Sequence, residues 1–290
     1  MGQRPTKNPF YLLTKLILCG KIVPCIRAQP SQKGKIEMIL SPAQIAEKCV
    51  DIGTSKSKLP IHKMILLGIL AGMFIAIAGI ASSFGNVFAG KLPAAMIFSA
   101  GLVMVLVAGS ELFTGNCLMV CALLDRKIKI GAMLKNWLFV YIGNLIGATL
   151  VALIVVASGA IDSVSDFAIN ASVNKVNIPF FEAFLRGLLC NFLVCIAVWM
   201  SFATSKLTGK VLAVFWPITI FVFCGFEHSI ANMYFIPAGI FQAIRVGKEP
   251  VSVLSFFVDN LLPVTLGNIV GGALMVAVGY YFVYLHKRKA

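Results

Sequence analysis

Few residues in this chain are suited to chemistry, and they sit in apolar surroundings. His228 is the one histidine inside an apolar run, since His62 and His286 lie at the ends of such runs. An ionisable group at such a place is costly to bury and marks a functional position. An imidazole, with an ordinary pKa of about 6.5, exchanges a proton near neutral pH. Thr114 and Asn191 supply hydrogen-bonding groups at similar depth on other runs. Two glutamates occur in matching settings. Gly109-Ser110-Glu111-Leu112-Phe113-Thr114-Gly115-Asn116 aligns with Gly225-Phe226-Glu227-His228-Ser229-Ile230-Ala231-Asn232 as G-x-E-x-x-x-[GA]-N. A second match pairs Gly143-Asn144-Leu145-Ile146-Gly147 with Gly267-Asn268-Ile269-Val270-Gly271. His228 breaks the symmetry, because its counterpart is Leu112. The duplicated glutamates are expected to cap backbone N–H groups of broken helices, with Asn116 and Asn232 as structural caps beside them. The four glycines of the second match are expected to permit close helix packing.

Catalytic chemistry has little to work with. No His-Glu-x-x-His, Walker A or Gly-x-Ser-x-Gly pattern is present, and one histidine near one glutamate does not make an enzyme. The eight cysteines form no C-x-x-C pair and lack the histidines of a zinc set, so neither metal nor cofactor is expected. Five of them fall in apolar runs, where cysteine packs as a small hydrophobe. The net charge of +14 would suggest nucleic acid in a soluble protein, but the basic residues cluster outside the apolar runs, which points to membrane orientation instead.

The elements that must hold these residues are membrane spans. The chain is 59% hydrophobic and 12% charged, with a mean hydropathy of +0.92, against about 25% charged in ordinary soluble domains. Six apolar segments are expected near residues 65–83, 93–124, 137–160, 180–203, 211–241 and 260–285. A helix crosses hydrocarbon in about 20 residues, so the second and fifth segments are too long by roughly a dozen. They read as broken helices with irregular backbone at membrane depth, which survives only where protein or a hydrated cavity surrounds it. Spans two and three then correspond to spans five and six. Three helices per repeat is an odd number, so the copies are inverted, as in many transport proteins. Half-helix N-termini exposed at the breaks would favour an anion. Phe98, Leu102, Leu112, Phe113, Phe221 and Val194 are candidates for apolar constrictions, although such residues more commonly pack or face lipid.

Arg126, Lys127, Lys129, Lys206, Lys210 and Lys287 to Lys289 flank one side of the predicted spans, which places both termini in the cytoplasm. Ser41-Pro42-Ala43-Gln44 reads as a capping box opening a short interfacial helix with the stripe Ile45, Ala46, Cys49 and Ile52. Residues 1–58 are thus an N-terminal arm and 59–290 the membrane domain. Residues 1–37 read as an upstream extension ahead of a start at Met38.

The stretch Gly225 to Met233, together with Leu262-Pro263-Val264-Thr265-Leu266-Gly267-Asn268, Cys190-Asn191-Phe192-Leu193-Val194-Cys195, Asn136-Trp137 and Phe235-Ile236-Pro237, resembles the formate/nitrite transporter family over roughly residues 38–285. The resemblance implies an aquaporin-like all-α protomer of six transmembrane helices, a homopentamer with one pore per subunit, and the cell (inner or plasma) membrane as its place. It implies that His228 is the central pore histidine with Asn191 as its neighbour, that Thr114 sits on the interrupting loop with Phe113 adjoining, and that Lys175 makes the outer approach electropositive. Phe98, Leu102 and Leu112 match an inner constriction, and Phe221 and Val194 an outer one. The substrate expected is formate, carried with protons as a weak acid. Nitrite and hydrosulfide are alternatives because Glu111 and Gly115-Asn116 also fit such relatives. An aquaporin is disfavoured, since its paired Asn-Pro-Ala boxes are absent.

Overall fold

The structure, a computed structural model, describes residues 39–286. The expectations for residues 1–37, for a start at Met38 and for Lys287 to Lys289 lie outside those residues.

At hydrocarbon depth each backbone N–H and C=O must find its partner within its own segment, so apolar stretches of this length fold as helices. Ten are present among the described residues: α1 (Pro42–Ser57), α2 (Ile61–Ala89), α3 (Lys91–Ala108), α4 (Phe113–Leu124), α5 (Ile130–Ala157), α6 (Ser165–Val176), α7 (Phe180–Ser201), α8 (Leu207–Cys224), α9 (Ser229–Arg245) and α10 (Val253–Tyr284). Six of them, α2, α3, α5, α7, α8 and α10, are long and apolar enough to cross a membrane. Helices α4 and α9 complete the second and fifth spans after the expected breaks.

Both breaks are made the same way. Helix α3 stops at Gly109 (φ 79°) and α8 at Gly225 (φ 74°), left-handed positions that glycine occupies without a Cβ penalty. The next residues turn back toward the middle of the bundle, and new helices start at Phe113 and Ser229. The two three-helix units pack in matching ways, with α2 against α5 and α7 against α10. A Cβ on Gly147 would overlap the carbonyl of Ile69, and one on Gly267 that of Phe184, so backbones meet at both crossings.

Helix α1 starts in the expected capping box. The Gln44 N–H donates to Ser41 Oγ (3.5 Å), and the Ser41 N–H to Gln44 Oε1 (2.9 Å). Of its expected stripe Ile45, Ala46 and Cys49 are buried against the end of α4 with Val50 beside them, whereas Ile52 is half-buried, and Lys48 donates to the Phe202 carbonyl (2.9 Å). The helix therefore belongs to the same unit as the spans, which begins at Ile39. Two features were not foreseen. Helix α6 is an amphipathic segment outside the spans, packed through Ser172 on Gly239 of α9. Helix α10 contains wide π-type turns at Phe256–Leu261 and Val270–Val278; the first precedes Pro263, which has no N–H to continue a regular ladder.

Candidate functional site

Each restarted helix is held by a clamp of buried polar groups, and the two clamps are copies. In the first, Asn144 of α5 accepts from the Phe113 N–H (3.0 Å) and donates to the carbonyls of Glu111 (2.9 Å) and Gly68 (2.8 Å). In the second, Asn268 of α10 accepts from the Ser229 N–H (2.9 Å) and donates to the carbonyls of Glu227 (3.0 Å) and Gly187 (2.7 Å). These asparagines do the capping. The expectation that Glu111 and Glu227 cap backbone N–H groups is thereby corrected, because each carboxylate instead holds a lysine and an asparagine. Glu111 accepts from Lys56 (2.7 Å) and Asn116 (2.7 Å), and Glu227 from Lys175 (2.8 and 2.9 Å) and Asn232 (2.7 Å). Asn116 and Asn232 donate onward to Asn136 (2.8 Å) and Asn260 (2.7 Å), which return a bond to the carbonyls of Lys56 (3.3 Å) and Lys175 (2.8 Å). An ammonium neutralising each carboxylate lets the charge stay buried, while in the second clamp Asn232 Oδ1 is buried without a partner among the described residues.

Between the clamps the N-termini of α4 and α9 are joined by a hydrogen bond, Thr114 Oγ1 to His228 Nε2 at 3.0 Å. The histidine is also the N-cap of α9, its Nδ1 accepting from the Ala231 N–H at 3.0 Å. Nδ1 therefore carries a lone pair, the ring is neutral in this arrangement, and its proton sits on Nε2 and points at Thr114. Asn191 donates to the carbonyls of Thr114 (3.2 Å) and Asn268 (2.6 Å), and Cys195 also donates to the Thr114 carbonyl (3.3 Å). Thr114, Asn191 and His228 are thus brought together, all buried, by residues on three different spans.

The apolar candidates divide between the two sides of this centre. Leu102 and Leu112 line a cavity of about 50 Å³ with Lys56, Asn116, Cys49 and Phe202, enough for a few waters. Phe221 stacks on His228 (centroids 5.9 Å, 27°) on the opposite side, and Val194 is buried one turn from Asn191. Phe98, expected with Leu102 and Leu112, instead meets Phe221 edge-on at 5.9 Å and Phe235 at 6.4 Å, one turn before Leu102 along α3. Phe113, expected at a constriction, turns its ring away from the centre onto Trp137 and Tyr141 of α5 (5.9 and 4.9 Å). Lys175, expected to make the outer approach electropositive, is ion-paired with Glu227 and its side chain is 19% exposed.

The family model for formate/nitrite transporters matches residues 43–282. The chain belongs to the formate/nitrite transporter family. It is 39% identical over 275 residues to a probable formate transporter of Methanothermobacter thermautotrophicus, with 85% of this chain and 98% of that protein covered. It is 38% identical over 275 residues to the formate channel FocA of Escherichia coli K12, covering 86% and 96%. A solved pentameric formate channel with formate bound superposes with a TM-score of 0.68 at 35% identity, covering 78% of this chain and 98% of that one. A further channel structure of the family gives a TM-score of 0.74 at 28% identity, covering 83% and 98%. The six-span inverted-repeat architecture is thus that of a family of channels and transporters.

Within this family fold, Lys56, Asn136, Asn144, Asn260 and Asn268 form the clamps, yet as functional residues they escaped sequence reading. A signal existed. The register that aligns Gly143 with Gly267 also aligns Asn144 with Asn268 and Asn136 with Asn260, so extending the repeat by two turns would have exposed all four asparagines.

Proposed function

We propose that this protein is a channel for small monovalent anions of weak acids, formate first among them, with His228 as its pH-responsive centre. The observation that carries the reading is the Thr114–His228 contact at the point where two half-helix N-termini meet. Each such end is equivalent to about half a positive charge, so the centre attracts an anion without holding a bare cation there. Charge complementarity alone does not carry an ion through the apolar side chains around it. Removing a carboxylate from water into an ideal low-dielectric medium costs on the order of 20 kcal/mol, a figure that relaxation reduces. Desolvation raises the pKa of a carboxylic acid and favours its neutral form, so the permeant passes as the acid or as a transiently neutralised species. The neutral His228, with its proton on Nε2, offers that species a hydrogen bond in exchange for the one to Thr114.

The same geometry supports a response to pH. A protonated imidazole carries N–H on both nitrogens, so Nδ1 could no longer accept from Ala231, and the ring would have to leave the α9 cap. Protonation therefore exchanges one arrangement of the centre for another rather than adding charge to a static ring. The α1 side, which carries Arg126, Lys127, Lys129, Lys206 and Lys210, is assigned to the cytoplasm, together with both termini. The assembly is a homopentamer with a pathway in each subunit, in keeping with the solved relative. Proteoliposomes loaded with formate, nitrite or hydrosulfide at several pH values test the reading: formate flux is expected to be largest and to vary with pH. Dominant nitrite or hydrosulfide flux would move the substrate, and rapid osmotic water flow without anion flux would overturn the channel class.

A further inference from the structure

We infer that the outer surface between α5 and α10 is a binding site for an anionic phospholipid, whose acyl chain reaches the back of the pore centre. Leu134, Leu138, Tyr141, Leu145 and Thr149 fall at helical spacing along one stripe of α5, and this stripe borders a furrow whose other wall is α10, joined in the second stretch by Pro237, Ile240 and Phe241 of α9. The end nearer the start of α5 has about 420 Å³ of room, and a second stretch, sharing Phe257, adds about 340 Å³. Both walls are spans, so the furrow lies at hydrocarbon depth, where acyl chains are the available filling.

What selects an anionic lipid is the charge at one end. Leu134 lies about 6 Å along the helix from Ile130, the first residue of α5. Lys129 precedes that residue, Lys135 follows Leu134, and Arg126 and Lys127 occupy the loop before them. All four are exposed, and none of Lys127, Lys129 and Lys135 takes part in an ion pair among the described residues. Basic clusters beside a span attract anionic headgroups. A phosphate on Lys129 and Lys135 would send its acyl chain down the stripe onto Phe113, Trp137 and Tyr141. Phe113 is the residue before Thr114, and its ring meets both Trp137 and Tyr141, so the chain would press on the restart of α4 from behind. Binding itself does not depend on which anion the channel carries.

Trp137 provides the readout. Of the three tryptophans, Trp137 is 9% exposed but lines the furrow, Trp199 is buried and lines neither stretch of it, and Trp216 is 60% exposed, so Trp216→Phe removes the reporter most open to lipid elsewhere. In mixed vesicles, acyl-brominated phosphatidylglycerol is expected to quench Trp137 at lower mole fraction than acyl-brominated phosphatidylcholine. Two lysines at about fivefold each give a preference of about 25-fold. Lys129→Gln with Lys135→Gln, both at exposed positions, should bring the preference toward one. Equal quenching by the two lipids in the parent protein would overturn the proposal. So would absence of quenching by either lipid together with protection of Leu138→Cys from a membrane-soluble thiol reagent, with labelling no higher than in the parent protein, which would show that a second copy fills the furrow.

Discussion

The clamp account makes its sharpest demand on Asn268→Ala. The side chain is fully buried and makes three bonds to backbone: one from the Ser229 N–H, one to the Glu227 carbonyl and one to the Gly187 carbonyl. Gly187 lies inside α7, so its oxygen keeps its helical partner and loses little. Ser229 N–H and Glu227 C=O sit at the break, outside any ladder, and each unsatisfied buried group costs about 1–3 kcal/mol. Interhelical bonds in membranes average nearer 0.6 kcal/mol, which sets the low end. For the two groups the variant should therefore lose about 1–6 kcal/mol, and Asn144→Ala should lose the same within about 1 kcal/mol, because its three bonds are the inverted copies. Reversible unfolding in mixed detergent–SDS micelles, followed by tryptophan fluorescence, measures both. Tyr141→Phe, which removes a single hydroxyl contact to Thr265 (2.8 Å) between the same two helices, is the reference at about 0.6–1 kcal/mol. If Asn268→Ala cost no more than Tyr141→Phe, or if the two asparagines differed by several-fold, the clamps would not be what holds the breaks.

Other perturbations separate the parts. Gly147→Ala and Gly267→Ala push a methyl group into a backbone carbonyl and should each cost about 1–3 kcal/mol, whereas Gly131→Ala and Gly279→Ala, with open space around the new atom, should be near neutral in the same unfolding assay. Lys175→Gln leaves the Glu227 carboxylate without its cation. The loss should be about 1–3 kcal/mol, below the figure for a fully buried pair because Lys175 is partly exposed, and a Lys175→Gln/Glu227→Gln double-mutant cycle should recover part of it. On the surface, Lys248 holds the Asp166 carboxyl below its ordinary range through a hydrogen bond of 2.8 Å and its charge. A depressed carboxyl contributes stability above its unfolded pKa and loses it as pH falls through the lowered value. Since Asp166 is fully exposed, Lys248→Gln should leave the neutral-pH unfolding midpoint within error, and any difference should vanish in acid.

The six spans, the two interruptions and the inverted repeat were legible because they rest on strong one-dimensional signals: apolar length, a glycine at each stop, and a motif present twice. That Thr114, Asn191 and His228 share a depth was legible because each is a polar group in an apolar run, but their bonds were not, since Asn191 donates to the Thr114 and Asn268 carbonyls. What failed depended on direction in space. Phe113 is adjacent in sequence to Thr114, yet the first residues of a restarted helix point to different sides, so its ring faces α5 while the threonine faces the centre. Phe98 lies one turn from Leu102, and that turn is enough to place it against Phe221. The ion pairs Lys56–Glu111 and Lys175–Glu227 were not legible, because the partners are distant in sequence. The clamp asparagines were present in the repeat, but their neighbouring glycines supplied a sufficient packing explanation and the polar half of the motif went unread.

The central claim is that a neutral imidazole at the junction of two half-helices governs passage, and His228→Asn tests it most directly. Asparagine is a strong N-cap, so α9 keeps its start while the titrating ring is removed. Formate flux into proteoliposomes, measured from pH 5 to 8 for both proteins, should vary with pH in the parent beyond the change in acid concentration and should lose that variation in the variant. A His228→Asn profile that tracks the parent across the range would contradict the account.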